Sequence, residues 1–110
     1  MAAATATAVP SSVLKQPVKV ACVQLTPGAD KAANLDYAAS RVAAAAKSGS
    51  RIIILPECFN SPLGCKYFAQ YAETLRPFPP SREQSPSFHA LSAMAADNKV
   101  YLVGGSIPEA

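Results

Sequence analysis

Apolar positions along the chain fall into three short runs separated by longer segments of helical period. Val18-Lys19-Val20-Ala21-Cys22-Val23-Gln24-Leu25 is almost continuously apolar, rich in β-branched residues, and closed by Pro27-Gly28. Such a run predicts a strand covered on both faces. Between Asp30 and Lys47 the pattern changes: Leu35, Ala39, Val42 and Ala46 recur at spacings of four, three and four, which draws one stripe along a helix. Asp30 stands where an N-cap belongs, and Gly49 where a helix C-terminus favours a left-handed residue. The many alanines on this stripe let the helix approach a sheet closely. Arg51 to Leu55 predicts the second strand, which Pro56 stops because it offers no N–H to a ladder.

Downstream, Lys66 to Leu75 reads as helical. The proline-heavy stretch Arg76-Pro77-Phe78-Pro79-Pro80-Ser81-Arg82-Glu83-Gln84 excludes regular structure. Ser85-Pro86 opens another helix as N-cap and first-turn proline. Phe88, Leu91 and Ala95 supply its buried side, and Asn98 is placed to close it. Val100 to Val103 is the third strand, ending at Gly104-Gly105. Strand, helix, strand, helix, strand predicts an α/β fold with a parallel sheet and right-handed crossovers. Three strands fall short of the usual sheet of about five or six, and the last five residues add no closing element. The reading is therefore a disordered tail over 1–17 followed, over 18–110, by the N-terminal part of a larger domain.

Composition narrows the function more than the fold. Of 110 residues half are hydrophobic, and the net charge is a mild +3. The basic residues are scattered and no aromatics interleave with them, so a nucleic-acid face is not expected. Nor does any segment approach the roughly twenty apolar residues of a membrane span. Three cysteines without C-x-x-C spacing give neither a disulfide framework nor a zinc site, and a reducing compartment fits them. The tail lacks acids but has Lys15 as its one base, unlike an arginine-rich presequence. Cytosol is the default compartment, with mitochondria the alternative if that tail is a presequence.

Candidate chemistry concentrates in "RIIILPECFNSP", residues 51–62. In open parallel sheets ligands gather at the carboxyl ends of the strands, and Glu57 lies two residues beyond the second one. A carboxylate partly desolvated there would be a better base near neutral pH; the alternative is a charge that only marks the strand exit. Cys58, adjacent in an extended segment, is expected to face away from Glu57. Cys65, after Gly64, is expected to be exposed but has no oriented partner. Cys22 is expected to be a small core hydrophobe. The lone His89 reads as structural, and Gly104-Gly105 as a tight turn rather than a phosphate loop, since no third glycine follows.

Taken together, "KVACVQL", "IIILPECFNSPLG", "KYF" and "VYLVGGSIPE" resemble the opening third of a carbon–nitrogen hydrolase of the nitrilase superfamily. The "LPECFNSP" and "GGSIPE" segments point to its omega-amidase branch. The resemblance spans about residues 18 to 109 and implies an α-β-β-α sandwich that forms homodimers. It further implies a Glu-Lys-Cys catalytic set in which the glutamate falls on Glu57, with no metal and no organic cofactor. Phe59, Asn60 and Leu63 are implied to contact substrate, a small-molecule amide; Leu63 replaces a tyrosine common in the family near the pocket mouth.

The family's lysine and its "GICYD"-like cysteine segment lie downstream, and none of Cys22, Cys58, Cys65 or Lys99 stands in their context. The expectation is thus a full-length amidase acting on keto-acid monoamides such as 2-oxoglutaramate, with the 110-residue piece inactive alone. Other nitrilase-superfamily amidases or nitrilases remain open, as does a truncated, non-catalytic interaction module. A mononucleotide-binding α/β domain is disfavoured by the incomplete glycine loop.

Overall fold

The computed structural model describes residues 13–110; most of the expected tail, residues 1–12, lies outside the described part, and residues 13–17 form no helix or strand. Three strands, β1 (Val20–Cys22), β2 (Ile52–Ile54) and β3 (Tyr101–Val103), form one parallel sheet in the order β1-β2-β3. The register pairs Val20 with Ile52 and Ile52 with Tyr101. Helix α1 (Lys31–Lys47) connects the first two strands. Between β2 and β3 come a 3-10 turn (Cys65–Tyr67), the short α2 (Phe68–Tyr71) and helix α3 (Pro86–Asn98). The order matches the parallel α/β reading, and no helix among the described residues is long and apolar enough to cross a membrane.

The limits of α1 follow from local chemistry. The Asp30 carboxylate accepts a hydrogen bond from the Ala33 N–H at 3.1 Å, and Gly49 at φ +99° ends the helix with its N–H on the Ala46 carbonyl. The end of α3 differs from expectation: Asn98 is still helical, donating to the Met94 carbonyl, and Lys99 takes the left-handed position at φ +52°.

α1 and α3 cover the same face of the sheet. Leu35, Ala38 and Val42 of α1, Met94 of α3, and Ile53, Leu55 and Phe59 form one buried cluster, with Ala21, Val23, Leu91 and Leu102 packed against it. Strand side chains alternate between faces, so Val20, Cys22, Tyr101 and Val103 point the other way and are exposed. The continuous apolar run of β1 predicts cover on both faces, yet α1 and α3 lie on the same side, so one face stays open. Cys22 is accordingly an exposed thiol and not the buried core residue expected.

Two further expectations are corrected by long-range backbone pairing. The helix expected over Lys66 to Leu75 ends at Tyr71. Glu73 instead forms a bridge with Glu109: its N–H donates to the Pro108 carbonyl at 3.0 Å, and its carbonyl accepts from the Ala110 N–H at 3.1 Å. Gly104-Gly105 is not a tight turn but a close approach. A β-carbon on Gly105 would lie 2.0 Å from the Pro56 carbonyl oxygen, and one on Gly104 would lie 2.7 Å from a Leu91 methyl.

Candidate active site

β2 delivers its chain into the core at Leu55, and after Pro56 the backbone makes a turn over residues 57–60. Glu57, at the first position of that turn, is exposed and makes no hydrogen bond or ion pair among the described residues. Its neighbour does not continue an extended segment, as the reading of side-chain direction at Cys58 assumes. Cys58 adopts φ +49°, a left-handed conformation that few residues other than glycine adopt. Two contacts hold it there: the Cys58 N–H donates to the Ser106 hydroxyl at 3.2 Å, and the Cys58 carbonyl accepts from the Ser61 N–H at 3.3 Å. The "GGSIPE" segment thus braces the turn twice, since Gly105 lies against the Leu55 and Pro56 carbonyls and Ser106 against Cys58.

Past Cys58 the turn plunges inward. Phe59, Asn60 and Ser61 are each 0% exposed. Phe59 belongs to the apolar cluster, and Asn60 is held by polar partners below the turn. Both side chains lie beneath the surface on which Glu57 stands. Both serve as the floor of the turn. Leu63 by contrast is 71% exposed, on the loop that follows.

Beneath the turn lies a second carboxylate to which the sequence reading assigned no role. Glu73 is 2% exposed and its two oxygens carry five contacts. Oε1 accepts from the Ser85 hydroxyl at 3.0 Å and from the Ser87 N–H at 2.9 Å. Oε2 accepts from the Ser87 hydroxyl and from Asn60 Nδ2 at 3.1 Å, and pairs with Lys31 Nζ at 3.1 Å. Burial alone would push the Glu73 carboxyl up; the Ser87 hydroxyl and N–H, together with Lys31, outweigh it and hold the group below its ordinary value.

The knot extends further in both directions. Lys31 also donates to the Tyr71 carbonyl, the Tyr71 hydroxyl donates to the Ala29 carbonyl at 2.6 Å, and Asn34 Nδ2 donates to the Asn60 carbonyl at 3.1 Å. Ser85 does occupy the N-cap position of α3, but its side chain turns to Glu73, and that distant carboxylate caps the helix in its place. No local signal could have revealed this arrangement, because its members come from four separate parts of the chain.

Other candidates are accounted for plainly. His89 donates from Nε2 to the Pro80 carbonyl at 2.8 Å and packs edge-on against Phe88, a structural role. Cys65 is exposed and Cys58 half-buried, and all three thiols are free. A groove of about 640 Å³ runs between β1 and α1, lined by Cys22, Gln24, Tyr37 and Arg41 among others, and Glu57 is not part of its wall. Among the described residues, no three His, Cys, Asp or Glu side chains gather as metal ligands would.

Comparison with known proteins gives this geometry a context. The sequence model of the carbon–nitrogen hydrolase family matches residues 19–110. A Schizosaccharomyces pombe protein named as a hydrolase is 54% identical over 91 residues, covering 83% of this chain and 26% of that protein. The omega-amidase NIT2 of Homo sapiens is 42% identical over 91 residues, covering 83% of this chain and 30% of the relative. The crystal structure of Saccharomyces cerevisiae Nit3, described as a member of branch 10 of the nitrilase superfamily, superposes with a TM-score of 0.78 at 43% identity, covering 90% of this chain and 36% of that one. The chain therefore spans between a quarter and about a third of the length of these relatives. With the family match running through the braced turn, the knot and all three strands, this chain belongs to the carbon–nitrogen hydrolases of the nitrilase superfamily.

Proposed function

We propose that the complete protein carrying these residues is an amidase of the omega-amidase type, releasing ammonia from short keto-acid monoamides, and that Glu57 is its general base. The observation that carries this reading is the pose of Glu57. It is an exposed carboxylate, unpaired among the described residues, on a turn braced at two points by the "GGSIPE" segment, at the carboxyl end of the central β2. A carboxylate kept only for folding would be expected to bond to something, as Glu73 does. Relatives named omega-amidases support the choice of substrate class.

In the proposed cycle Glu57 takes the proton of a cysteine thiol, and the thiolate attacks the amide carbon. Glu57 then gives that proton to the departing nitrogen, so that ammonia leaves and a thioester remains. Finally Glu57 takes a proton from water, whose oxygen attacks the thioester and frees the keto diacid and the thiol. A lysine stabilises the tetrahedral oxyanions. No "GICYD"-like segment occurs among these 110 residues, so the proposal places both the cysteine and the lysine in the remainder of the protein and makes this piece inactive by itself. The open apolar face of the sheet, with Val20, Tyr101 and Val103 exposed, argues against a self-sufficient interaction module. A homodimer in the cytosol completes the proposal, the compartment resting on three free thiols.

The test is ammonia release from 2-oxoglutaramate by the complete protein and its Glu57→Gln variant. Loss of turnover by about 10²–10⁴-fold, the usual share of a general base, is expected. Near-normal turnover by the variant would sink the role of Glu57.

A further inference from the structure

Among the described residues Glu57 itself is fastened to nothing, yet a base must be held within a fraction of an ångström of its proton donor. Whatever aims it must act through the turn. One edge of that turn is tied to Ser106. The other is Asn60, fully buried, three residues after Glu57, with Nδ2 shared between Glu73 Oε2 and the Ser87 hydroxyl and its carbonyl held by Asn34. Between these ties sits Cys58 at φ +49°. A non-glycine residue in that region costs on the order of 1 kcal/mol or more and persists only where its surroundings over-determine it.

Such strain needs a rigid anchor, and the Glu73 knot has the properties of one. It is buried and ionised, with every oxygen occupied, and it joins α1, the turn, the strand-like segment at Glu73 and the start of α3. A knot required only to fasten helices could do so through Lys31, Ser85 and Ser87 alone. The additional bond to Asn60 is the one that reaches the turn.

We propose that Glu73 is a positioning residue for Glu57: through Asn60 it holds the strained turn that aims the catalytic carboxylate. This rests on the reading of Glu57 as the base, and the experiment separates the two ideas. In the complete protein, Asn60→Ala cuts the link to the turn but leaves the contacts of Glu73 with Lys31, Ser85 and Ser87. Val42→Ala, in the apolar cluster far along α1, serves as a matched loss of stability. Turnover is measured per folded molecule, well below both melting temperatures.

Asn60→Ala and Glu73→Gln are expected to lower kcat by about 10²-fold, the usual cost of misplacement by about an ångström, with KM changed by less than about twofold. Val42→Ala is expected to lower the melting temperature and leave kcat alone. Should Asn60→Ala fail to fold, Ser87→Ala removes only the hydroxyl bridging Asn60 and Glu73, and a milder fall of roughly tenfold in kcat is expected. If the knot variants keep kcat within twofold while Glu57→Gln is inactive, positioning is overturned and the base reading stands. If Glu57→Gln is active, the base reading fails and this proposal with it. A fall in kcat for Val42→Ala equal to that for Asn60→Ala would assign the effect to stability and overturn the proposal.

Discussion

Glu57 and Glu73 are the same residue type sixteen positions apart, yet their surroundings could hardly differ more. Glu57 stands exposed and unpaired on a braced turn, whereas Glu73 is buried among two serines, an asparagine and a lysine. The two placements differ sharply in cost. Burying a carboxylate is costly unless hydrogen bonds and an opposite charge compensate it, and around Glu73 both are present. Leaving a carboxylate in water at the mouth of a parallel sheet costs nothing and stabilises nothing, and the bracing of its turn accords with the base role proposed for it. One carboxylate is held by the fold; the other is presented by it.

The sharpest way to break this contrast is Glu73→Leu. It leaves Lys31, Asn60 and the Ser87 N–H without their acceptor, and a loss of about 3 kcal/mol is expected, the low end for a broken buried pair because Lys31 is partly exposed. Denaturant unfolding of the complete protein measures it. Adding Lys31→Met should recover part of the loss, since a fully apolar pair no longer strands a charge. A cost under about 0.5 kcal/mol for Glu73→Leu would place Glu73 with ordinary surface groups.

Next in size is Gly105→Ala, which pushes a β-carbon into the Pro56 carbonyl at a left-handed glycine. Overpacking of this kind costs roughly 1–3 kcal/mol. Because the displaced segment carries Glu57, turnover should fall along with the melting temperature. Retained activity in a destabilised Gly105→Ala protein would detach the "GGSIPE" segment from the site.

A third effect depends on pH. The Glu73 carboxyl is held below its ordinary value of 4.5, so the folded state favours its ionised form. Its contribution to stability is therefore whole above 4.5 and is lost as pH falls through the lower folded value. Glu73→Gln should flatten the acid limb of the stability curve, and an unchanged limb would contradict the lowered value. Smallest of all is Glu57→Gln, expected to alter stability by less than about 0.5 kcal/mol because the group has no partner to lose. A larger change by calorimetry would mean that Glu57 is also held by the fold.

How much of this was legible in the sequence depended on the distance over which each residue makes its contacts. The ends of α1 could be read because Asp30 caps a residue three positions away and Gly49 closes a turn of its own chain. Glu57 could be placed at a strand exit because four apolar residues and a proline lie directly before it. Glu73 could not be singled out: it resembles the polar end of a helix, and its partners at 31, 60, 85 and 87 are distant in the chain. The same distance explains Phe59 and Asn60. The turn sends three successive letters of the motif, Phe59, Asn60 and Ser61, into the interior, where distant elements surround them.

The sequence by itself determined the parallel βαβαβ order, the limits of α1, the family and the carboxylate that leaves the sheet, because each is written in hydrophobic period, capping chemistry or contiguous motifs. Tertiary structure alone decided that the β1 run is open on one face, that Gly105 is a point of backbone contact, and that Glu73 lies buried under the turn that presents Glu57. Those outcomes depend on which distant groups are brought within about 3 Å of one another, and that is settled only when the helices close on the sheet.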